Sequence, residues 1–323
     1  MPDDRAVATT ETHGRLLAGT QPGDAAWAET SVALYTDGHG GHGGADEIAE
    51  PRKLGVVFWI CIGWVALIVF GAIFANLLPL QSPTFQNYTA INAHPSTAHL
   101  LGTDDLGRDL LSRIIYGSRV SLIVGFASVA IGMLVGGTLG LISGYRGGRT
   151  DAILNAGSFV LLAFPAIVAV IAIVAFWGQS LFKITVILGV ATIPLLYRVV
   201  RATTLSFANR DFVVAARTLG AKDSRILFRE ILPNVVPAAV SFGLITVAIV
   251  IVLEGSLAFL GLSVALPTPS WGNIISEGTA NGELSSNPYI VLWPSLAMFF
   301  LLLAINLIGD RLRNKFDVRE GLV

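Results

Sequence analysis

Charge is what this chain has least of. Asp, Glu, Lys and Arg make up 13% of 323 residues, against roughly a quarter in a soluble domain. With 53% hydrophobic residues and a mean hydropathy of +0.69, an ordinary soluble enzyme is excluded and a polytopic membrane protein is indicated. The one cysteine, Cys61, sits in an apolar run, so no intrachain disulfide forms, and no CxxC or Cys/His zinc spacing occurs. Also absent are a GxxxxGK[ST] phosphate loop, GxSxG, HExxH and any paired-acid constellation. Catalysis, P-loop nucleotide binding, a resident cofactor and a metal site are therefore not expected of this polypeptide. The net charge of −1 decides nothing about partners, because the signs are segregated along the chain. Membrane lipid is the expected surrounding, and no nucleic-acid partner is expected.

What is present is a succession of apolar runs. Residues 1–50 are acidic, with a DGHGGHGGADE tract, and read as a disordered tail on the cytoplasmic side. Two histidines there, His39 and His42, with Asp37 and Asp46, offer loose metal ligands, but a glycine run fixes no geometry and solvated spacer is the favoured reading. No cleavable signal precedes the first run, which is expected to act as an uncleaved anchor. That run, Leu54 to Leu78, is long enough at about 1.5 Å per residue to cross a core about 30 Å thick. The further spans are expected at Val120–Gly144, Ala152–Phe176 with a kink at Pro165, Ile184–Val200, Val235–Leu262 and Ile290–Ile308. The expectation is an all-α membrane protein of six transmembrane helices. Its divisions are a tail (1–50), a first span with an outer segment (51–117), a core of five spans (118–310) and a C-terminal tail (311–323). With both termini inside, fifteen Lys and Arg residues from Arg52 onward fall on the cytoplasmic side and four outside, namely Arg108, Arg113, Arg119 and Lys183. That bias fixes the expected orientation.

Between the fourth and fifth spans lies a polar stretch, RDFVVAARTLGAKDSRILFREILPNVVP, from Arg210 to Pro237. Its cations are Arg210, Arg217, Lys222, Arg225 and Arg229, so it is expected in the cytosol. Asn209 is expected to cap a short helix from Asp211 to Leu219. Gly220 is expected to stop it, Asp223 or Ser224 to cap a second helix, and Pro233 with Pro237 to bend the entry to the next span. The first helix would present a shallow face of Val213, Ala216, Leu219 and Gly220. A juxtamembrane helix lying on anionic headgroups is the alternative.

In the outer segment, HLLGTDDLGRDLLSRIIYGSR places Gly102 and Gly107 around a turn holding Asp104 and Asp105, followed by an amphipathic helix. Asp104, Asp105 and Asp109 offset Arg108, Arg113 and Arg119, which reads as an ion-paired surface helix rather than a divalent-cation site. Glu254 is the one carboxylate inside an apolar run. A charge at mid-bilayer costs roughly 2.5–3.5 kcal/mol, so it is expected to face protein or water. It lies either at the outer mouth of a translocation path or in a structural role, paired with Arg119 or bonded to backbone and Ser256. The second role is favoured. Trp271 reads as an interface anchor or as packing in the outer cap.

Three blocks carry a family resemblance over roughly residues 52–319. Ala215-Ala216, Gly220 and Ile231-Leu232-Pro233 resemble the EAA signature of permease subunits of bacterial ABC importers, with Val214 where the signature has Glu and Glu230 where relatives have His. Gly102-Thr103-Asp104 with Gly107-Arg108-Asp109 resembles the GTDxxGRDxxSR segment of C-type permeases of dipeptide, oligopeptide and nickel importers. Glu254 to Gly272 resembles the ExSLxFLGLGxxPPxPxWG block, with Ser263 and Leu266 replacing a glycine and a proline. The resemblance implies a type I importer permease fold with a coupling helix at 210–230, in which Ala215, Ala216, Arg217, Leu219, Gly220 and Arg225 meet the ATPase. It also implies a homologous B-type permease, two ATPase subunits that hold ATP and Mg²⁺, and an extracytoplasmic substrate-binding protein. Peptides are the expected solute, with nickel complexes, glutathione and opines as alternatives. A secondary transporter would need inverted repeats and ion-coordinating broken helices, which the sequence does not show.

Overall fold

The computed structural model describes residues 55–320, and side chains through residue 314. The expected 1–50 tail, its histidines and the Arg52-Lys53 pair lie outside the described residues. Every element within them is helical, apart from one isolated pairing of Thr103 with Asp109.

The apolar runs become helices because their backbone polar groups have no other partner in hydrocarbon. Helix α1 spans Val56–Phe74. Helix α2, Leu110–Gly132, passes through a π-turn at Met133–Gly137 into α3, Thr138–Arg146. Together they form a span of 37 residues. At about 1.5 Å per residue this is about 55 Å, well beyond a hydrocarbon core of about 30 Å, so the rod must extend past the membrane. A second 37-residue rod joins α8 (Asp223–Arg225), a π-turn at Ile226–Ile231 and α9 (Leu232–Phe259). Between the rods come α4 (Gly148–Ala163), α5 (Ala166–Trp177), α6 (Leu181–Ala208) and α7 (Asp211–Thr218). After α9 the chain forms α10 (Trp271–Ala280), α11 (Glu283–Ser286) and α12 (Tyr289–Glu320). Five helices are long and apolar enough to cross a membrane, or six if the bent pair α4 and α5 counts as one span.

Three boundaries stand out. The kink expected at Pro165 is present and sharp: α4 and α5 meet at 77°. Phe164 is forced extended (φ −85°, ψ 130°) because the following proline ring disfavours helical geometry there. The segment after α9 contains a helix, α10, which Ser270 caps by accepting from the amide of Asn273. The expected C-terminal tail begins as a continuation of α12, which runs without a break to Glu320.

Two apolar cores hold the bundle. The larger joins α2, α6, α9 and α10 through Val124, Ile184, Leu188, Val250, Ile251, Leu257, Trp271 and Ile274. The smaller lies at the hairpin end and comprises Leu141, Val200, Phe207, Val213, Ile226, Ile231 and Val235. Between them Gly132, Gly136, Gly140 and Gly144 form a four-residue stripe, from the end of α2 through the π-turn into α3, that lets α6 approach. A Cβ at Gly140 would stand 2.6 Å from the Tyr197 carbonyl, and one at Gly144 2.7 Å from Thr204 Cβ.

Candidate functional site

The hairpin from Asp211 to Ile231 is ordered from within. Val213, with no exposed surface, packs with Ile226 and Ile231, and Ala216 rests partly buried on the same core. The expected face therefore divides. Val213 and Ala216 point inward to fix the hairpin, while Val214, Ala215, Arg217, Leu219, Gly220 and Arg225 are exposed. Leu219 is 87% exposed and Val214 52%, an apolar tip standing free of the protein's own core.

The caps also differ from expectation. Asn209 ends α6 instead of opening α7, whose N-cap position is Arg210 without a side-chain cap bond. Lys222 occupies the next N-cap position, and Asp223 is spent accepting from the Tyr145 hydroxyl at 2.7 Å. Arg217 lies over the Tyr145 ring, 5.8 Å from its centroid, so one tyrosine braces both arms of the hairpin. Gly220 closes α7 with φ +78°, a conformation in which an L side chain is strained.

At the opposite end, residues 75–109 and 260–288 form a cap. Gly102 (φ +87°) and Gly107 (φ +68°) do bracket the acidic turn. A Cβ at Gly107 would overlap the Asn87 carbonyl. Thr103 pairs with Asp109 across the turn, and its hydroxyl donates to the Ala90 carbonyl. Asp104 accepts from the amides of Leu106 (3.0 Å) and Arg108 (2.9 Å), from Arg108 Nε (2.6 Å) and from Arg113 Nη1. Both guanidinium groups then reach Glu277 on α10, at 2.9 and 2.8 Å. Asp109 caps α2 by accepting from the Ser112 amide at 2.9 Å and holds His99 Nδ1 at 3.0 Å.

The expectation of a surface helix is thus corrected: Asp104 and Arg113 are each 1% exposed, and Arg108 is 4%. The partner the sequence did not reveal is Glu277, 164 residues beyond Arg113, which turns a local charge pattern into a tie from the GTDDLGRD turn and the start of α2 to α10. Burial pushes the Asp105 carboxyl above its ordinary range, with the Asp104 charge adding to the effect. Among the described residues no group of three or more His, Cys, Asp or Glu is placed to hold a metal ion.

Glu254 lies five residues before the end of α9, and it is 1% exposed. Neither Arg119 nor Ser256 is its partner. Arg119 donates to the carbonyls of Ala72 (2.8 Å) and Ile73 (3.3 Å), and Ser256 to Val252 (3.0 Å). The carboxylate is held instead by the hydroxyls of Ser263 and Ser270. Ser263 stands where the resembled block has glycine. Trp271 is buried, its Nε1 donating to the Ile114 carbonyl at 2.9 Å, which decides for packing over an interface anchor.

Residues 136–320 match the binding-protein-dependent transport system inner membrane component family. A glutathione transport system permease protein GsiD from Pectobacterium atrosepticum is 40% identical over 79% of this chain and 84% of its own length. A dipeptide transport system permease protein DppC from Alkalihalophilus pseudofirmus is 38% identical over 83% and 86%. Among solved structures, an inward-facing form of the MetNI methionine ABC transporter superposes with a TM-score of 0.54 at 20% identity, covering 64% of this chain and 97% of that one. At that identity the likeness speaks to the fold alone.

Proposed function

The chain belongs to the family of binding-protein-dependent transport system inner membrane components, and from that premise we propose that it imports small peptides by moving against ATPase subunits through its 211–231 hairpin. As a permease of an ABC importer it sits in the inner membrane as a multi-pass protein, works with ATPase and binding-protein partners, holds no cofactor and leaves ATP hydrolysis to those partner subunits.

The observation that carries the coupling role is the tip of the hairpin. Leu219 and Val214 are exposed apolar side chains on a rigid, internally braced element, flanked by exposed Arg217 and Arg225. Such a tip suits a groove on another protein better than solvent, because its own core has already claimed Val213, Ile226 and Ile231. Ala215, Leu219 and Gly220 form the contact surface, Ala216 backs it, and Arg217 and Arg225 border it.

Charge supports the proposed orientation. Of the four basic residues assigned outside, Arg108 and Arg113 are ion-paired, while Arg119 and Lys183 donate to backbone carbonyls. The hairpin end keeps its arginines exposed, which favours the cytosol for that end and for both termini. A homologous B-type permease completes the path, and Glu254 and Arg119 serve structure rather than solute. The GTDDLGRD turn, through Gly102, Thr103, Asp104, Gly107, Arg108 and Asp109, shapes the outer cap over that path.

Small peptides are the proposed cargo because the dipeptide and glutathione permeases above share one chemistry, a short peptide with a free carboxylate. The binding protein makes the final selection. Leu219→Cys, made after Cys61→Ser, is expected to crosslink to an ATPase subunit in membranes, while a cysteine at exposed Asn281 in the cap is not. Capture from Asn281, or none from Leu219, overturns the coupling role. Dipeptide and glutathione uptake in a strain lacking only this chain tests the cargo.

A further inference from the structure

At the hairpin end, one carboxylate joins three spans. Asp151, in the first turn of α4, receives two parallel bonds from Arg201 of α6: Nε to Oδ1 at 2.5 Å and Nη2 to Oδ2 at 2.6 Å. Ser143 of α3 donates to the same Oδ1 at 2.5 Å. That hydroxyl has only one proton, so its 2.8 Å contact with Tyr197 of α6 is completed by the tyrosine donating. The pair is three-quarters or more buried, with side-chain exposures of 24% for Arg201 and 20% for Asp151. A two-pronged, partly desolvated pair of this kind fixes orientation as well as distance.

The surroundings give the pair a mechanical meaning. Helix α4 buries only Ser158 among its residues, so packing within this chain does little to hold it. Its ends are both breaks. Gly147 and Gly148 precede and open it with φ of +61° and +56°, where only glycine is unstrained and a Cβ would meet nothing within 4 Å. Phe164-Pro165 ends it at the 77° turn into α5. The helix is therefore a rod between two breaks, tied near its base to α6. Helix α6, in turn, is a single 28-residue element joined to α7 by a two-residue turn, Asn209-Arg210. Arg201 thus stands seven residues before the end of the helix that carries the hairpin.

We propose that the Asp151–Arg201 pair, seated by Ser143 and Tyr197, is the linkage that carries hairpin movement to the broken third span. The pair stays closed through the cycle and swings α4 about Gly147–Gly148 and Phe164–Pro165. Asp151 and Arg201 are assigned as positioning residues, which act through α4 and α6. The inference rests on the coupling role assigned to the hairpin above.

The test uses the whole importer, purified with its ATPase subunits and reconstituted in liposomes with its binding protein. Asp151→Asn keeps the shape of the side chain and removes the charge. It is expected to leave ATP hydrolysis within about twofold of the parent and to lower uptake per ATP by about tenfold, the scale of one lost charge-assisted pair. The exchange Asp151→Arg with Arg201→Asp should recover part of that loss. If Asp151→Asn prevents assembly, Ser143→Ala, which withdraws a single bond from the carboxylate, takes its place and is expected to lower the same ratio by about threefold.

A second readout needs no transport. Spin labels at Ile153 and Ser206, both exposed, are expected to keep one narrow distance with and without ATP in the parent, and a broad one in Asp151→Asn. Unchanged uptake per ATP in an assembled variant, or a parent distance that shifts with nucleotide, overturns the proposal. A parent complex in which the hairpin never contacts the ATPase overturns the coupling role itself, which is a different result.

Discussion

Ser270 Oγ lies 2.8 Å from Glu254 Oε1 and donates to it, while the same oxygen accepts from the Asn273 amide at 3.1 Å. One serine therefore both caps α10 and fastens that helix to the end of α9. The carboxylate stands at the start of a ten-residue helix, where the helix dipole favours negative charge. This arrangement explains how a carboxylate persists in an apolar run without a cation: hydroxyls and a helix N-terminus replace the expected arginine.

Glu254→Ala is expected to lower stability by about 2–4 kcal/mol, because it leaves the hydroxyls of Ser263 and Ser270 buried without their acceptor. Glu254→Gln keeps a carbonyl acceptor and should cost about half as much. Arg119→Ala combined with Glu254→Gln should be additive within about 0.5 kcal/mol, since the two side chains share no partner. Thermal unfolding of the four proteins in detergent measures this. A coupling energy above about 1 kcal/mol would restore the Glu254–Arg119 pair.

The cap ties invite a second test. Arg113 bridges Asp104 and Glu277 while only 1% exposed. Arg113→Ala leaves a buried carboxylate short of its cation and is expected to cost about 3 kcal/mol or more. The loosened cap should be nicked by protease within residues 75–109, where the parent resists. Adding Glu277→Gln should recover part of the loss by removing the second charge. Unchanged protease resistance in Arg113→Ala would show that Arg108, which reaches both carboxylates by itself, suffices.

These ties also show how far the sequence could be read. The spans, the hairpin, its glycine stop and the GTDDLGRD turn were legible because each is set by a local rule: a run long enough to cross, a cation bias, a residue that tolerates positive φ. The structural role of Glu254 is legible but its partners are not, because they come nine and sixteen residues later, from a chain that turns back on itself, and helical periodicity carries no record of that return. Val213 was placed on the docking face because an eight-residue helix shows too few turns to decide which side is covered. Helix α10 has local signals in the sequence, with Ser270 as a cap and Gly282 (φ +75°) beyond its end.

The glycine stripe is a case where scattered residues prove periodic. Gly140→Val should disrupt the approach of α3 to α6, since even a Cβ there would stand 3.0 Å from the Arg201 amide and 2.6 Å from the Tyr197 carbonyl. Backbone has to move, so the cost is expected above the 1–3 kcal/mol typical of overpacking. Gly63→Val is the control, because a Cβ at that position meets nothing within 4 Å. Yield of monodisperse protein from membranes should fall sharply for the first and hold for the second. Equal yields would mean that the two helices separate without penalty.

Gly220 separates conformation from contact. A Cβ there meets nothing within 4 Å, so a larger side chain is not sterically excluded inside this chain, yet its φ of +78° strains any L residue. Asparagine tolerates that region better than other side chains, whereas a β-branched residue pays most. Gly220→Asn should therefore preserve the hairpin, and Gly220→Val should weaken it locally by about 1–2 kcal/mol, too little to unfold the bundle. If the hairpin tip meets an ATPase groove closely, both variants lose uptake, because both add bulk at the contact. If only the backbone turn matters, the asparagine variant keeps uptake and the valine variant loses it. The docking surface assigned to Leu219 and Gly220 requires the first result, with both proteins inserted at parental levels. Normal uptake by Gly220→Asn would move the contact away from the glycine and onto the flank bearing Val214 and Arg217.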